Sequence, residues 1–502
     1  MQTFTLVIAL MYAAAILPIC IYSIAQLQLL SFYRKKKDDR LDVVQFTGQE
    51  TNLPIVTIQL PLYNELYVIE RLIDSVCAFE YPKDKMQIQL LDDSTDETVK
   101  IVADKVNHYK SLGFDIEHVR RPIREGFKAG ALNYGLEFAK GEFVTIFDAD
   151  FVPASDFLLK TVPHFLKNDK VAVVQTKWEH LNKDYSLLTK LQAFQLDVHF
   201  TIEQEGRYRG DCFLQFNGTA GLWRISAIAD AGGWEADTLT EDLDLSYRAQ
   251  LKGWKIVYVE NLGSPAELPA EINGFKSQQF RWTKGGAETA RKMLPIIWRS
   301  NLPWRQKFHA MIHLLGSTFF VMAFIVALLS APLSVLHENL KDMNMGFLLL
   351  FAPVFYFSMF ALSIVYFYAH VDLPGRTKGN YLRRFFEFIT LYPAFMAMSV
   401  GFSLHNTVAV IQGWLGQKSA FIRTPKFNIT EKGKEVKKTT NYKMGKIGLV
   451  TIFEGVLSAY FIVMSLLAYQ EGGPVFMFYP LINALGFGVI CFASIRNTLI
   501  RA

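Results

Sequence analysis

Val144–Val152 reads VTIFDADFV, and the rest of the chain is organised around it. A run of apolar and β-branched residues leads to Asp148 and Asp150, and a helix-like pattern resumes only after Pro153. This is the composition of a buried strand that delivers two carboxylates one residue apart. Alternation along an extended chain points both side chains to the same side. Two such carboxylates can share one divalent cation, with phosphate oxygens completing the shell, and hard oxygen ligands of this kind suit Mg²⁺ or Mn²⁺. A solvated Asp-X-Asp turn gives the same three letters by chance, so the surrounding chain has to decide.

On both sides of that stretch, strand-like and helix-like segments alternate. Val56–Leu60 predicts a strand ending at Pro61, Glu65–Phe79 a helix, and Ile88–Leu91 a strand that stops at Asp92-Asp93-Ser94. Thr95–Asn107 predicts a helix capped by Ser94, Thr95 or Asp96. Asp115–Val119 then predicts a strand, Lys128–Ala139 a helix, and Phe143–Phe147 the strand that carries the paired acids. This spacing predicts an α/β fold with a mostly parallel sheet covered on both faces. In such sheets the ligand site lies beyond the carboxyl ends of the strands. Asp92-Asp93 and Asp148/Asp150 both sit at such ends, an arrangement suited to a nucleoside diphosphate bridged by metal.

Composition narrows the class. The 502 residues are 51% hydrophobic and 20% charged, which predicts a water-exposed domain joined to membrane spans. A net charge of +5 gives no support to nucleic-acid binding. Cys20, Cys77, Cys212 and Cys491 are scattered and offer neither a zinc site nor a disulfide framework.

From about Phe4 to Leu30 the chain is apolar and uncharged, long enough to cross a bilayer. No positive charge precedes this run, and Arg34-Lys35-Lys36-Lys37 follows it. It is therefore read as an anchor rather than a cleaved signal, with the next domain in the cytoplasm. Near the other end, Glu288–Gln306 has the basic, aromatic composition of an interfacial helix. Apolar runs follow at about 309–336, 346–370, 388–415, 447–469 and 474–495. If all of them crossed, the Lys- and Arg-rich segment 416–446 would lie outside, against the positive-inside rule. The segment 388–415, interrupted by Pro393, Gly401, His405, Asn406 and Gln412, is therefore expected to lie at the interface or to re-enter. Five true spans remain, with a cytoplasmic C-terminus and no domain for a regulatory cyclic dinucleotide expected after the last span. Phe320, Phe355, Phe357 and Tyr366 are candidates to face a pore, although helix packing is the commoner fate of any one of them.

Three further stretches carry chemistry. Phe216–Gly221 is a small-residue loop that lets backbone approach a ligand, or a plain turn. Thr240-Glu241-Asp242 opens a predicted helix, Leu243–Leu251, and is also good capping chemistry. Gln278-Gln279-Phe280-Arg281-Trp282 lies in an amphipathic stretch where Arg and Trp can simply snorkel.

In order, these are PLYNE (61–65), LDDS (91–94), FKAGALN (127–133), DAD (148–150), FNGTAG (216–221), AGGW (231–234), TED (240–242) and QQFRW (278–282). With this set ahead of an apolar C-terminal third, the chain resembles the family 2 glycosyltransferases of the cellulose-synthase-like type. The wording LDDSTDET, IFDADF, FNGTAGLWRISA and YRAQLKGWK is most similar to the plant mannan synthase and xyloglucan-backbone glucan synthase branches.

The resemblance implies a GT-A (Rossmann-like) cytosolic domain at 34–286, between an anchor at 1–33 and a membrane part at 287–502. It implies that Glu65 and Asp92 or Asp93 hold the nucleoside, and that Lys128 reaches the diphosphate. Asp148, with Asp150, would hold Mg²⁺ or Mn²⁺ on that diphosphate. Asp242 is the implied general base, supported by Glu241. Asn217, Gly218, Gln278, Arg281 and Trp282 fall at the acceptor end, with Trp282 as a platform beneath a sugar ring. Phe421-Ile422-Arg423-Thr424-Pro425-Lys426 is similar to a gating loop, in which Phe421, Thr424 and Lys426 match while Arg423 and Pro425 depart. Gln279 stands where many bacterial cellulose synthases have Arg, which weakens the case for cellulose. The implied activity is inverting, processive synthesis of a β-linked (1,4) glycan such as mannan or glucan from GDP-mannose or UDP-glucose. The growing polysaccharide would leave through the spans, among membrane lipids, with room for an export partner subunit. Two rivals are a non-processive transferase acting on a lipid and a catalytically silent assembly or export subunit. The silent subunit is expected to lack Asp148, Asp150 or Asp242, and all three are present.

Overall fold

The computed structural model describes residues 2–35, 53–342, 351–372, 380–419, 422–430 and 447–501. Phe421 and the basic residues 432–446 lie outside them. The chain starts with α1 (Gln2–Lys35), a single helix of 34 residues that ends on Arg34 and Lys35. At 1.5 Å per residue it is about 51 Å long.

An α/β domain follows. β1 (Val56–Leu62), α2 (Ile69–Cys77), β2 (Met86–Asp92), α3 (Thr98–Ser111), β3 (Asp115–Val119), α4 (Phe127–Leu136) and β4 (Phe143–Ile146) alternate as the pattern predicts. These four strands are parallel, in the order β3-β2-β1-β4. The remainder is α5 (Phe157–Lys167), β5 (Val171–His180), α6 (Leu187–Val198), α7 (Glu205–Arg209), β6 (Gly221–Arg224), α8 (Ile225–Asp230), α9 (Glu241–Leu251) and β7 (Lys255–Ala266). β6 inserts antiparallel between β4 and β5, while β7 pairs parallel with β5. The seven-stranded sheet is therefore parallel in one half and mixed in the other. β6 follows the loop 216–220 and runs antiparallel to both of its neighbours.

The connections at the strand ends differ from the predicted boundaries for a local reason. Asn64 adopts a left-handed backbone, φ 57°, which delays α2 until Ile69. Asn64 N–H donates to Ser94 Oγ at 2.8 Å, and Asn64 Oδ1 accepts from Thr95 N–H at 2.8 Å. Ser94 and Thr95 thus join two loops instead of capping α3, and Asp96 Oδ1 takes the Thr98 N–H at 3.0 Å.

The sheet is buried on both faces. Phe79, Phe147 and Phe157 pack together on one side, with Phe147 and Phe157 rings 4.9 Å apart and edge-on. Each such buried ring contributes about 1.5–3 kcal/mol. On the other side Thr57, Gln59, Gln87 and Gln89 are buried, and Gln59 Nε2 donates to Gln89 Oε1 at 3.1 Å and to Leu132 O at 3.4 Å. α4 covers this polar ladder closely because Gly135 has no Cβ; one would stand 2.5 Å from Gln59 Nε2.

β7 leads into α10 (Ile272–Arg299), one helix that carries Gln278–Trp282 near its start. The boundary expected at 286/287 falls inside it. Then come α11 (Trp304–Leu314), α12 (Phe319–Asp342), α13 (Phe351–Val371), α14 (Tyr381–Trp414), α15 (Leu449–Gly472) and α16 (Pro474–Arg501). Among the described residues six segments are long and apolar enough to cross a membrane: 3–35, 304–336, 353–371, 381–414, 449–471 and 477–499. α14 is unbroken through Pro393, so the re-entrant form expected for it is not what the chain adopts. At its start Arg384 Nη1 donates to Val371 O at 2.8 Å, and Phe395 meets Phe194 of α6 at 5.6 Å. Further on, Phe402 meets Phe275 of α10 at 5.0 Å, and a Cβ on Gly413 would stand 2.6 Å from Lys284 O. Both ends of α14 therefore meet elements packed on the α/β domain. Tyr366 lies among Phe194, Tyr392 and Phe395, and Phe355 packs on Tyr479. These two aromatics pack helices together.

Candidate active site

A cavity of about 220 Å³ opens beyond the carboxyl ends of β1, β2 and β4. It is lined by Glu65, Asp93, Lys128, Asp148, Asp150, Asn217, Gly218, Glu241, Asp242, Gln278, Arg281, Trp282, Thr424 and Lys426. Every described residue that the sequence assigns to the nucleotide, metal, base, acceptor or loop is among them except Asp92, and Phe421 lies outside the described residues.

Of the alternatives Asp92 and Asp93, only Asp93 lines the cavity. Asp92 Oδ2 bonds His118 Nε2 at 2.8 Å, and its Oδ1 accepts the Ser94 N–H at 2.8 Å. Burial would raise its pKa, yet the His118 and Ser94 bonds bring it below the ordinary aspartate value. As the last residue of β2 it points into the domain, and Asp93 takes the opposite direction. Asp93 faces the cavity in a bidentate pair with Arg121, at 2.8 Å to Nε and 2.6 Å to Nη2.

The paired acids reach the cavity by a route different from the expected one. β4 ends at Ile146, and Asp148-Ala149-Asp150 forms a turn closed by Phe151 N–H donating to Asp148 O at 3.0 Å. Both carboxylates still line the cavity, and each meets a lysine. Lys128 Nζ lies 2.5 Å from Asp148 Oδ1 and also donates to Gly218 O at 2.9 Å. Lys426 Nζ pairs with Asp150 Oδ1. Burial opposes charge on both lysines, but the surrounding carboxylates prevail and raise their pKa values. Two convergent carboxylates with hard oxygen donors fit a Mg²⁺ or Mn²⁺ site. Glu235, Asp237 and Asp244 form another acidic cluster away from the cavity, but Lys292 Nζ already occupies its centre, at 2.5, 2.9 and 3.0 Å from the three carboxylates.

At the opposite wall, Glu241 and Asp242 begin α9. Thr240 makes no side-chain cap; its hydroxyl faces Thr289 Oγ1 at 3.0 Å. Burial, and then the adjacent Glu241 carboxylate, push the Asp242 carboxyl up to about 7. Burial raises Glu241 as well, against the pull of Lys128. Gly218, at φ +78°, lets the loop approach: a Cβ there would lie 3.0 Å from Asp242 Oδ2.

α10 and the loop 422–430 close the cavity. Arg281 Nη2 donates to Thr424 Oγ1 at 2.9 Å, and its Nη1 donates to Ile422 O. Burial brings the Arg281 pKa down to about 10. Trp282 stands 6.4 Å from Trp178, ring to ring. Arg423 Nη1 donates to Tyr63 O at 2.8 Å and lies 3.6 Å from Glu65 Oε2. Burial raises the Glu65 pKa, with Lys426 and Arg423 opposing.

Sequence reasoning missed several contributors. Glu267 accepts the backbone N–H groups of Phe427 and Asn428 at 2.8 and 2.9 Å, which pins the loop. Arg124 stacks 3.4 Å over the Tyr63 ring, and Trp178 faces Trp282. Tyr63 lies inside the PLYNE motif and was within reach of the reading. Glu267 and Trp178 belong to no motif and become visible only once the sheet brings β5 and β7 together.

Residues 54–285 match the family model described as Glycosyltransferase like family 2. The probable glucomannan 4-beta-mannosyltransferase 4 of Oryza sativa subsp. japonica is 43% identical over 296 residues, covering 56% of this chain and 53% of the relative. Glucomannan 4-beta-mannosyltransferase 2 of Arabidopsis thaliana is 42% identical over 301 residues, covering 58% and 56%. The chain thus spans about half the length of the curated relatives it matches. The solved structure of the mannosyltransferase PcManGT from Pyrobaculum calidifontis, in complex with GDP-Man and Mn²⁺, superposes with a TM-score of 0.53. That match covers 82% of this chain and 99% of the other at 18% identity, a likeness of fold. The α/β part of this chain, residues 54–285, is a glycosyltransferase-like family 2 domain built on the GT-A fold.

Proposed function

We propose that the protein is a membrane-embedded, inverting, processive glycosyltransferase that polymerises a β-1,4-linked mannan from GDP-mannose. The observation that carries this reading is one cavity in which Asp242, raised toward neutrality, faces Lys128 and the Asp148/Asp150 pair, with Trp282 alongside. The donor is taken from the mannosyltransferase names of the relatives and from the fold neighbour's GDP-Man complex.

Asp148 and Asp150 would hold Mg²⁺ or Mn²⁺, which when bound supplies positive charge for the leaving diphosphate. Lys128 and Lys426 release their carboxylates and turn to the phosphates, adding charge where it develops. Arg281 and Arg423 flank them. Glu65 and Asp93 orient the nucleoside end. Asp242 takes the proton from the acceptor hydroxyl, and its raised pKa makes it an effective base near neutral pH. Glu241 sustains that shift by its own charge. Attack from the face opposite the diphosphate converts an α-linked donor into a β-linkage, and one base suffices. Trp282 and Trp178 present an aromatic surface to the sugar rings. We place α14 along the face of the helical bundle, because both its ends meet parts packed on the α/β domain. α1, α12, α13, α15 and α16 then cross, and the α/β domain lies in the cytoplasm.

The test is product analysis with the purified protein in lipid bilayers and Mn²⁺, supplied with GDP-mannose or UDP-glucose separately. A long polymer from GDP-mannose that an endo-β-1,4-mannanase digests supports the reading. A polymer from UDP-glucose alone replaces mannan by glucan. A short lipid-soluble product overturns processivity, and no product from either donor favours a silent subunit.

A further inference from the structure

Asn217 lines the cavity beside Asp242, is 8% exposed, and has a side-chain nitrogen with no partner in the protein. The orientation of its amide is fixed by the groups behind it. Asn217 Oδ1 accepts from Gln215 Nε2 at 2.7 Å and faces His199 Nε2 at 3.0 Å. Gln215 is itself oriented, since its Oε1 faces His313 Nε2 at 3.0 Å. An amide oxygen only accepts, so with the amide in this orientation His199 donates to it through Nε2–H, and Asn217 Nδ2, buried at the cavity wall, has no acceptor in the protein. A buried donor without a partner costs about 1–3 kcal/mol, so a ligand atom that meets it is favoured.

His199 is held in turn. It opens a π-helical turn, His199–Gln204, between α6 and α7. Wider turns of this kind recur at functional sites, where they re-aim side chains. Here His199 Nδ1 lies 2.9 Å from Glu203 Oε2, while Glu203 Oε1 accepts from Gln26 Nε2 at 2.6 Å and from Tyr22 Oη at 3.3 Å. Burial alone would raise the Glu203 carboxyl, but Arg207 and His199 hold it well below the usual carboxylate range. Gln26 and Tyr22 belong to α1, which approaches α7 closely: a Cβ on Gly206 would lie 2.7 Å from Leu29 O. The line Asn217–His199–Glu203–Gln26 therefore runs from the cavity into the first helix of the chain.

We propose that His199 and Glu203 are positioning residues for the acceptor. They hold the Asn217 amide so that its Nδ2–H meets a hydroxyl or ring oxygen of the acceptor sugar beside Asp242, and they tie that donor to α1. This rests on the acceptor reading of the cavity given above, and it adds a role for residues that no motif contains.

The experiment uses the full chain in lipid nanodiscs with Mn²⁺, GDP-mannose and β-1,4-mannotetraose, measuring KM for each substrate and kcat. His199→Ala and Glu203→Gln are expected to raise the mannotetraose KM about tenfold, the scale of one lost hydrogen bond, with the GDP-mannose KM unchanged. His199→Gln, which can still donate to Asn217 Oδ1, restores most of the loss. Asn217→Ala gives the same rise, and the double variant with His199→Ala is no worse. Gln26→Leu, at the far end of the line, gives a smaller rise and decides the matter if His199→Ala does not fold. The proposal is overturned if Asn217→Ala raises the acceptor KM while His199→Ala, His199→Gln and Gln26→Leu leave it unmoved, or if the effects of His199→Ala and Asn217→Ala multiply. If the unaltered protein does not extend mannotetraose, or Asn217→Ala has no effect on its KM, the acceptor reading itself fails.

Discussion

The two lysines on the paired acids come from opposite kinds of structure. Lys128 stands on α4, inside the sheet domain, only 20 positions from its partner Asp148. Lys426 arrives on the loop after α14, 276 positions from its partner Asp150. The first is carried by a crossover helix against two buried strands, and its place follows from the fold. The second is held by Glu267, Arg281 and Arg71, side chains of the 54–285 part that grip the loop 422–430 after α14. In the proposed reaction the comparison separates a fixed charge at the donor end from a charge delivered by the loop 422–430.

That division can be broken by substitution. Lys128→Ala is expected to lower kcat about a hundredfold, because a positioned cation is lost where charge develops. Lys426→Ala is expected to cost about tenfold, mostly through the GDP-mannose KM, since Arg423 of the same loop remains. Steady-state kinetics on both variants checks the pair; equal effects would erase the distinction. Without nucleotide, Lys426→Ala should also tighten Mn²⁺ binding by about threefold, read by calorimetry, because it frees a carboxylate from an ammonium.

The base wall sharpens the account from another side. Burial and then Glu241 push the Asp242 carboxyl up to about 7, so in the proposed reaction it is protonated and cannot accept the hydroxyl proton below that pH. Turnover should therefore rise with pH through about 7. Glu241→Gln removes the like charge, lowers the Asp242 pKa and moves that rise to lower pH by about one unit. A pH–rate profile unchanged in this variant would show that Glu241 does not set the base.

How much of this was legible in sequence depended on the range of the contact. β3 runs Asp115–Val119 as predicted, and Asp93, Asp148 and Asp150 line the cavity at the strand ends, although a turn and not strand alternation carries the last two there. Which of two adjacent acids faces the ligand depends on the register of the strand end, and the letters are silent on it. The DAD segment was read as strand and is a turn, because pairing with β6 stops at Ile146. Thr57, Gln59, Gln87 and Gln89 carry the alternation of a half-exposed sheet, yet α4 covers them. Trp178, Glu267 and the His199–Glu203 pair carried no local signal, since each acts on a residue brought near by the fold.

Two glycines give the smallest expected effects. Gly218→Ala forces a side chain into a left-handed backbone next to Asp242. It should cost about 1 kcal/mol of stability and lower kcat with little change in donor affinity. Gly135→Ala meets Gln59 and Leu91 beneath α4. Overpacking there should cost about 1–3 kcal/mol, read as a lower unfolding temperature with the KM values intact.

The most direct test is Asp242→Asn, assayed side by side for GDP-mannose binding and for polymer formed with Mn²⁺. The account predicts binding equal to that of the unaltered protein and polymer synthesis reduced by about a hundredfold or more. Polymer made at the original rate by this variant would contradict the account, since the cavity would then be a binding site without its base.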